Sequence, residues 1–400
     1  MITQADVLEA RRRLAPYLHP SPLIHSNHLS QRLGMEIFLK LESLQDTGSF
    51  KIRGALHCLL SLPESVRGRG VVAASAGNHA QGVAWAARQL GVSATIFMPR
   101  LAPMAKLLAT RAYGAQLIAA GDTYDEAARA ADGWVEEKGG TLIHGFDDPR
   151  VIAGQGTVGL ELLEQIPEAE TIIVPVGGGG LIAGVALAMK AGRAEVEILG
   201  VQASRAPAAA RSLEKGRRVT VVPEPTLADG ISVATPGALP FEIMHRFVDR
   251  VETVDEDAIE TAVITFLERK HLVVEGAGAA PLALLLEGRI RPRGTRVVLV
   301  VSGGNLDIQW MDRIVQRGTL ALGRRMRLKV VMPDRPGSLF RITEIIARHG
   351  ANILQVYHDR MAPEQPVLLS RVEFDLEVEG REHGGEIIRA LQEAGIQVVS

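Results

Sequence analysis

Apolar residues along this chain gather into short unbroken runs, each followed by a longer stretch in which they recur every three or four positions. That is the pattern of buried strands leading into helices. Val71-Val72-Ala73-Ala74 predicts a strand, Ser75 to His79 a tight turn, and the segment through Val83–Leu90 a helix that stops at Gly91. Thr171 to Val176, Gly177 to Gly180 and then Leu181 onward repeat the order strand, glycine turn, helix. Glu197-Ile198-Leu199-Gly200-Val201 and Arg296 to Val301 predict two more buried strands, the second opening into Ser302-Gly303-Gly304-Asn305. Alternation of this kind implies a doubly wound α/β body with mainly parallel sheets. The first fourteen residues read as an amphipathic helix rather than an export signal, because their apolar residues never form an unbroken core.

After about Trp310 the pattern changes. Arg317 to Arg325 reads as a linker, and Met326 to Met332 alternates like a strand. Asp334-Arg335-Pro336-Gly337-Ser338-Leu339 predicts a turn into a helix reaching His349, capped by Gly350. Residues 351–358 and 367–377 then read as strands, 384–393 as a helix and 396–399 as a last strand, the order of a ferredoxin-like βαββαβ unit. A chain of 400 residues suits two or three such domains.

The candidate chemistry sits at the turns. In Ser49-Phe50-Lys51-Ile52-Arg53 a lysine lies beside a phenylalanine in an apolar setting. Loss of water there favours the neutral amine, which can attack an aldehyde to form a Schiff base; a snorkelling surface lysine is the plainer alternative. The turn from Ser75 to His79 enters a helix, so its amides and the helix dipole can hold a carboxylate, or Ser75 is simply a cap. Four successive glycines let a backbone approach a phosphate with no Cβ in the way. The uncharged stretch around them is interrupted by Pro175 and the glycines, which argues against a membrane span. Gly178, Gly180 and Ala183 also fit the G-x-G-x-x-A spacing of a dinucleotide fold. That fold wants an acid at the end of the next strand, where this chain has Gln202. Ser302 would place a neutral hydroxyl at a glycine turn, with or without a ligand.

Taken in order and spacing, from about Pro22 to Leu320, these four motifs resemble the pyridoxal-phosphate enzymes of fold type II, and among them the threonine dehydratase (threonine ammonia-lyase) branch. The resemblance implies pyridoxal 5'-phosphate as cofactor, a catalytic domain over residues 1–320, and a small mobile lobe over about 48–150 set into a larger one. It makes Lys51 the Schiff-base and general-base lysine, Phe50 the residue against the cofactor ring, and Asn78 the partner of the ring 3-hydroxyl. Gly177, Gly178, Gly179, Gly180 and Leu181 match the phosphate loop, and Ser302 the pyridine-nitrogen partner. Ser75, Ala76, Gly77, Asn78 and His79 match the loop that grips the substrate carboxylate. Glu275 matches an acid near the cofactor, whereas Asp229 reads as part of a structural turn.

The implied reaction is β-elimination of L-threonine to 2-oxobutanoate and ammonia, with L-serine giving pyruvate. A neutral Ser302 leaves a weaker electron sink, which favours prompt loss of the β-hydroxyl. Ala76 stands where related racemases carry a proton-donating serine, so serine racemisation is expected to be negligible. Relatives that make cysteine usually carry Thr where this chain has His79. The carboxylates that bind a divalent cation in some relatives are missing from Gln202 to Ala208, so no metal is expected there. The tail over 326–400 resembles an ACT domain, with Gly337 and Asn352 as candidate contacts for an effector such as isoleucine or valine; such a module can also serve only to dimerise.

Composition narrows the classes. A net charge of −2 gives no reason to expect nucleic acid. One cysteine, Cys58, excludes an internal disulfide and suits a reducing cytoplasm. Two classes stay open: a homo-oligomeric lyase with an allosteric tail, preferring threonine or serine, and a non-catalytic amino-acid sensor on the same fold.

Overall fold

A computed structural model describes residues 2–321, 323–361 and 366–399. The chain divides into two compact units, Met1–Asp307 and Ile308–Ser400.

The first unit is built on two sheets. Strand Arg296–Val301, four of its six residues valine, is buried beyond its first residue and lies inside a six-stranded sheet. A strand covered on both faces can be an unbroken apolar run, and this one pairs in parallel with Glu36–Leu41 on one side and Thr171–Pro175 on the other. Glu197–Ala203 and Arg250–Val254 continue the parallel sheet, while Leu23–His25 closes the opposite edge antiparallel. The smaller sheet holds four parallel strands in the order Gln116–Ala119, Ala94–Met98, Val71–Ala74, Thr141–Leu142. Helices Lys51–Leu60 and Asn78–Gln89 share a core against it, through Ile52, Ala55, Leu56 and Leu59 on one and Ala80, Val83, Ala84 and Ala87 on the other. The larger core joins helix Gly180–Gly192 to the central strands through Leu181, Ile182, Val185 and Val174.

Parallel pairing has a direct consequence. The loops after Leu41, Val301 and Pro175 leave neighbouring strands at the same carboxyl edge, where open α/β sheets collect ligands. Gln202 lies in strand Glu197–Ala203, fully buried: its amide donates to Val176 O at 3.0 Å and accepts from Ala209 N and Ala210 N. Its oxygen caps the next helix and its nitrogen ties this strand to the residue before the glycine loop, so the side chain is spent on structure where a dinucleotide fold would place an acid for the ribose.

Helix Gln4–Leu14 buries Val7, Ala10 and Leu14. Beneath helix Lys51–Leu60 lies a sealed charge cluster. Arg53 spans Glu42 at 2.7 and 2.8 Å and Glu161 at 2.5 and 2.9 Å, and Lys40 reaches Glu161, Ser21 O and Gln165. Two cations facing two carboxylates, with the remaining donors satisfied, is the form in which buried charge is tolerated. Cys58 is fully buried nearby, and burial pushes its thiol up to about 12.

In the second unit the sheet order is Asn352–Asp359, Leu369–Glu377, Arg325–Pro333, Gln397–Val399, antiparallel throughout. Helices Ser338–Arg348 and Arg381–Glu393 bury Ile342, Ile346, Ile387 and Leu391 against it, completing βαββαβ. The expected linker is largely helical: Ile308–Ala321 runs through Gly318, and the chain turns at Gly323, whose φ is +70°. The last helix likewise begins at Arg381 and carries Gly384 and Gly385 inside it. No helix among the described residues is long and apolar enough to cross a membrane.

Candidate active site

Lys51 is the first residue of its helix, so its side chain starts at the mouth of the carboxyl-edge loops. Its position is set by zippering: Ser49 forms a bridge with Gly303, and Phe50 N donates to Ser302 O at 3.1 Å. The ammonium lies 5.3 Å from the Phe50 ring centroid and donates to Gly145 O at 2.7 Å. One carbonyl does little to replace lost water. Burial lowers the Lys51 pKa to about 8, with the charge of Glu275 pulling the other way.

Asn78 opens the helix that follows strand Val71–Ala74, and its amide is clamped at both ends. Its Nδ2 donates to Glu275 Oε1 at 2.8 Å, and its Oδ1 accepts from Asn305 Nδ2 at 2.7 Å. Asn305 is fixed in turn on Thr47 O at 2.8 Å. A Cβ on Gly303 would stand 2.2 Å from Glu275 Oε1, so glycine is needed there. Glu275 is buried, and its pKa is raised to about 7, first by burial and then by Asp229. The first amides of this helix have no intrahelical acceptor. Ser75 Oγ accepts from Gly77 N at 3.1 Å and shapes the turn, with Ala76 half-buried beside it. His79 turns inward: it is buried, its Nε2 bonds Ile143 O at 2.8 Å, and burial together with the nearby Lys51 lowers its pKa to about 3.

The glycine loop leads into helix Gly180–Gly192, with Gly179 at φ +94°. The amides of Gly177 to Ile182 find no acceptor among the described residues. A Cβ on Gly178 would fall 2.3 Å from the Phe146 ring and one on Gly180 2.9 Å from Phe146 O, so the loop His144–Asp147 packs directly on these glycines. Lys51 and the glycine loop thus meet on one short segment, through Gly145 O and Phe146. Ser302 is buried at the carboxyl end of strand Arg296–Val301.

These features form a consistent cradle for pyridoxal phosphate. Unsatisfied amides at a helix start suit a phosphate, the neutral hydroxyl of the buried Ser302 suits a ring nitrogen, and a lysine shifted toward its free amine suits an aldehyde. Gly337 and Asn352 belong to the other unit. Gly337 caps a helix at φ +88° with open space around it, and Asn352 contacts Glu377 at 3.4 Å. Sequence inspection missed Gly145, whose part is played by a carbonyl that any residue carries, and Asn305, whose motif drew notice only for its serine. It also gave no weight to Arg53, although an arginine in an apolar run was a visible signal.

Residues 14–303 match the family model for pyridoxal-phosphate dependent enzymes, and residues 326–396 match the ACT domain. The chain is 47% identical over 398 residues to an L-threonine ammonia-lyase of Thermotoga maritima, covering 100% of this chain and 99% of that one. Among solved structures, the T.th. threonine deaminase superposes with a TM-score of 0.73 at 44% identity, over 76% of this chain and 99% of that one. Maize serine racemase superposes with a TM-score of 0.76 at 36% identity, over 80% and 98%. The chain therefore belongs to the pyridoxal-phosphate dependent enzymes and carries an ACT domain behind its catalytic body.

Proposed function

We propose that this enzyme is a threonine ammonia-lyase: it eliminates water from L-threonine, and hydrolysis of the resulting enamine returns one water and releases ammonia to give 2-oxobutanoate; L-serine gives pyruvate in the same way. The observation that carries the proposal is Lys51, a half-buried lysine whose pKa is lowered to about 8 and whose amine is poised between the Asn78 turn and the glycine loop. Full-length similarity to an L-threonine ammonia-lyase supports the choice of substrate.

Pyridoxal phosphate, when bound, supplies the aldehyde carbon that takes the amino group and a sink for the charge left on the α-carbon. The amides of Gly177 to Leu181 would hold its phosphate, Phe50 would pack against its ring, Asn78 would serve the ring hydroxyl and Ser302 the ring nitrogen. A hydroxyl there is neutral and leaves the sink weak, which favours early departure of the β-hydroxyl. The turn from Ser75 to His79 binds the substrate carboxylate through its amides; His79 serves it from behind, by pinning the turn to Ile143. Lys51 takes the α-proton on Nζ, which requires its neutral form. On the opposite side Ala76 presents a methyl group that cannot return a proton, so racemisation is negligible. Glu275 holds Asn78 in place.

The ACT domain gives the enzyme an amino-acid effector, isoleucine or valine, through Gly337 and Asn352, acting in a cytoplasmic homo-oligomer. Coupling of this kind is reciprocal, so threonine also changes the effector's affinity. The test is 2-oxobutanoate release from L-threonine against pyruvate release from L-serine, with and without each effector. Wild type is expected to favour threonine and K51A to release neither product. The two substrates differ by one methyl, worth about 1–3 kcal/mol in a pocket, so a faster rate on serine would overturn the substrate and spare the reaction type. A fully active K51A would overturn both.

A further inference from the structure

The turn Asp229–Ile231 takes no part in the chemistry above, yet it is wedged between two parts of the site. A Cβ on Gly230 would stand 3.6 Å from Glu275 Oε1, and one on Gly177 would stand 3.1 Å from Ile231 Cα. The turn lies between strands Glu197–Ala203 and Arg250–Val254 and so belongs to the larger lobe. Asp229 receives Lys106 Nζ at 2.5 Å. Lys106 sits on helix Met104–Ala112, between two strands of the smaller sheet, so this ion pair crosses from one lobe to the other. Its ends are unequally covered, the Lys106 side chain being 20% exposed and that of Asp229 58%.

We propose that Lys106 and Asp229 form a latch that holds the small lobe closed over the reaction site, and that both are positioning residues for the chemistry at Lys51. Closing brings Lys106 onto the turn and presses the turn against Glu275 and the glycine loop. Among the other polar links between the lobes, those from Asn78 to Glu275 and to Asn305 lie inside the site and Asp147 accepts from Ala238 N and Leu239 N, whereas Lys106 and Asp229 are a charged pair whose Asp229 end is largely exposed. A partly exposed ion pair is weak. Weakness suits a contact that must break at every turnover, because closing has to be reversible for product to leave. The latch is also felt at the centre. The groups acting on Glu275 are Asp229, which disfavours its charge, and Lys106, Asn78 and Lys51, which favour it. Losing Lys106 leaves Asp229 uncompensated beside Glu275.

The proposal rests on the threonine-cleaving function for its kinetic arm alone. The holoenzyme is compared as wild type, K106A, D229A, the double variant K106A/D229A and the charge swap K106D/D229K. Deuterium exchange over Met104–Ala112 is expected to rise roughly two- to fivefold in each single variant, the reach of a partly exposed ion pair. The double variant is expected to exchange no faster than either single one, and the swap to return toward wild type. KM for L-threonine follows the same order, while the absorbance of bound cofactor stays at its wild-type level. High salt is expected to raise exchange in wild type and to leave K106A unmoved. Singles that exchange like wild type, or singles whose effects simply add in the double variant, would overturn the latch. An enzyme inactive on threonine that still shows the exchange pattern would refute the assigned substrate and leave the latch standing.

Discussion

Replacing Glu275 by glutamine isolates one charge in the middle of the site. The side chain is 5% exposed, so solvent screens it little. Its pKa is raised from 4.5 to about 7, first by burial and then by Asp229, against the pull of Lys106, Asn78 and Lys51. A folded-state pKa above the unfolded one means that the native protein holds the proton more tightly. The contribution to stability is therefore fully present below about 4.5 and lost as pH rises through about 7. At about 1.4 kcal/mol per unit the whole shift is worth about 3 kcal/mol, of which about 2 kcal/mol falls between about pH 5.5 and 7.5. Glutamine keeps the acceptor for Asn78 Nδ2 and cannot ionise. Urea unfolding of the apoprotein, followed by tryptophan fluorescence, is expected to show wild type losing about 2 kcal/mol relative to E275Q across that window. Parallel curves for the two proteins would refute the reasoning, since they would mean that Glu275 titrates as it does in the unfolded chain.

Further outcomes follow from the same geometry. Pyridoxal phosphate should combine with the apoprotein at a rate that rises with pH through a midpoint at about 8, because only the neutral Lys51 amine attacks; E275Q should move that midpoint down, since Glu275 favours the ammonium, and stopped-flow absorbance reads both. G303A places a methyl against Glu275 and Asn78, and overpacking of this kind is expected to destabilise by about 1–3 kcal/mol and to weaken cofactor retention, measured by thermal melting and dialysis. R53M strands Glu42 in the interior, and urea unfolding should show a loss of about 3–5 kcal/mol.

Much of the catalytic body is legible in the chain because its chemistry is local. A lysine beside a phenylalanine, a serine turn with an asparagine and a run of glycines each carry their meaning within a few neighbours, and parallel strands announce themselves as unbroken apolar runs. What escapes notice is long-range. Gly145 meets Lys51 and Lys106 meets Asp229 only after folding has joined segments far apart, and Arg53, conspicuous as a charge in an apolar run, finds its partners Glu42 and Glu161 only then. Glycine misled in both directions. Gly318 reads as part of a linker and Gly384 as the first residue of a helix that in fact starts at Arg381, yet the penalty for glycine in a helix is only about 1 kcal/mol. Packing of Ile314 in one helix and of Ile387 and Leu391 in the other outweighs it.

Cys58 gives the chain a practical property. Its thiol is sealed in the core and held far from its reactive thiolate form, so the native enzyme offers no thiolate to add to a maleimide dye. A pair of cysteines introduced on opposite lobes could then be conjugated to donor and acceptor fluorophores against a silent background, and opening and closing followed in single molecules during turnover.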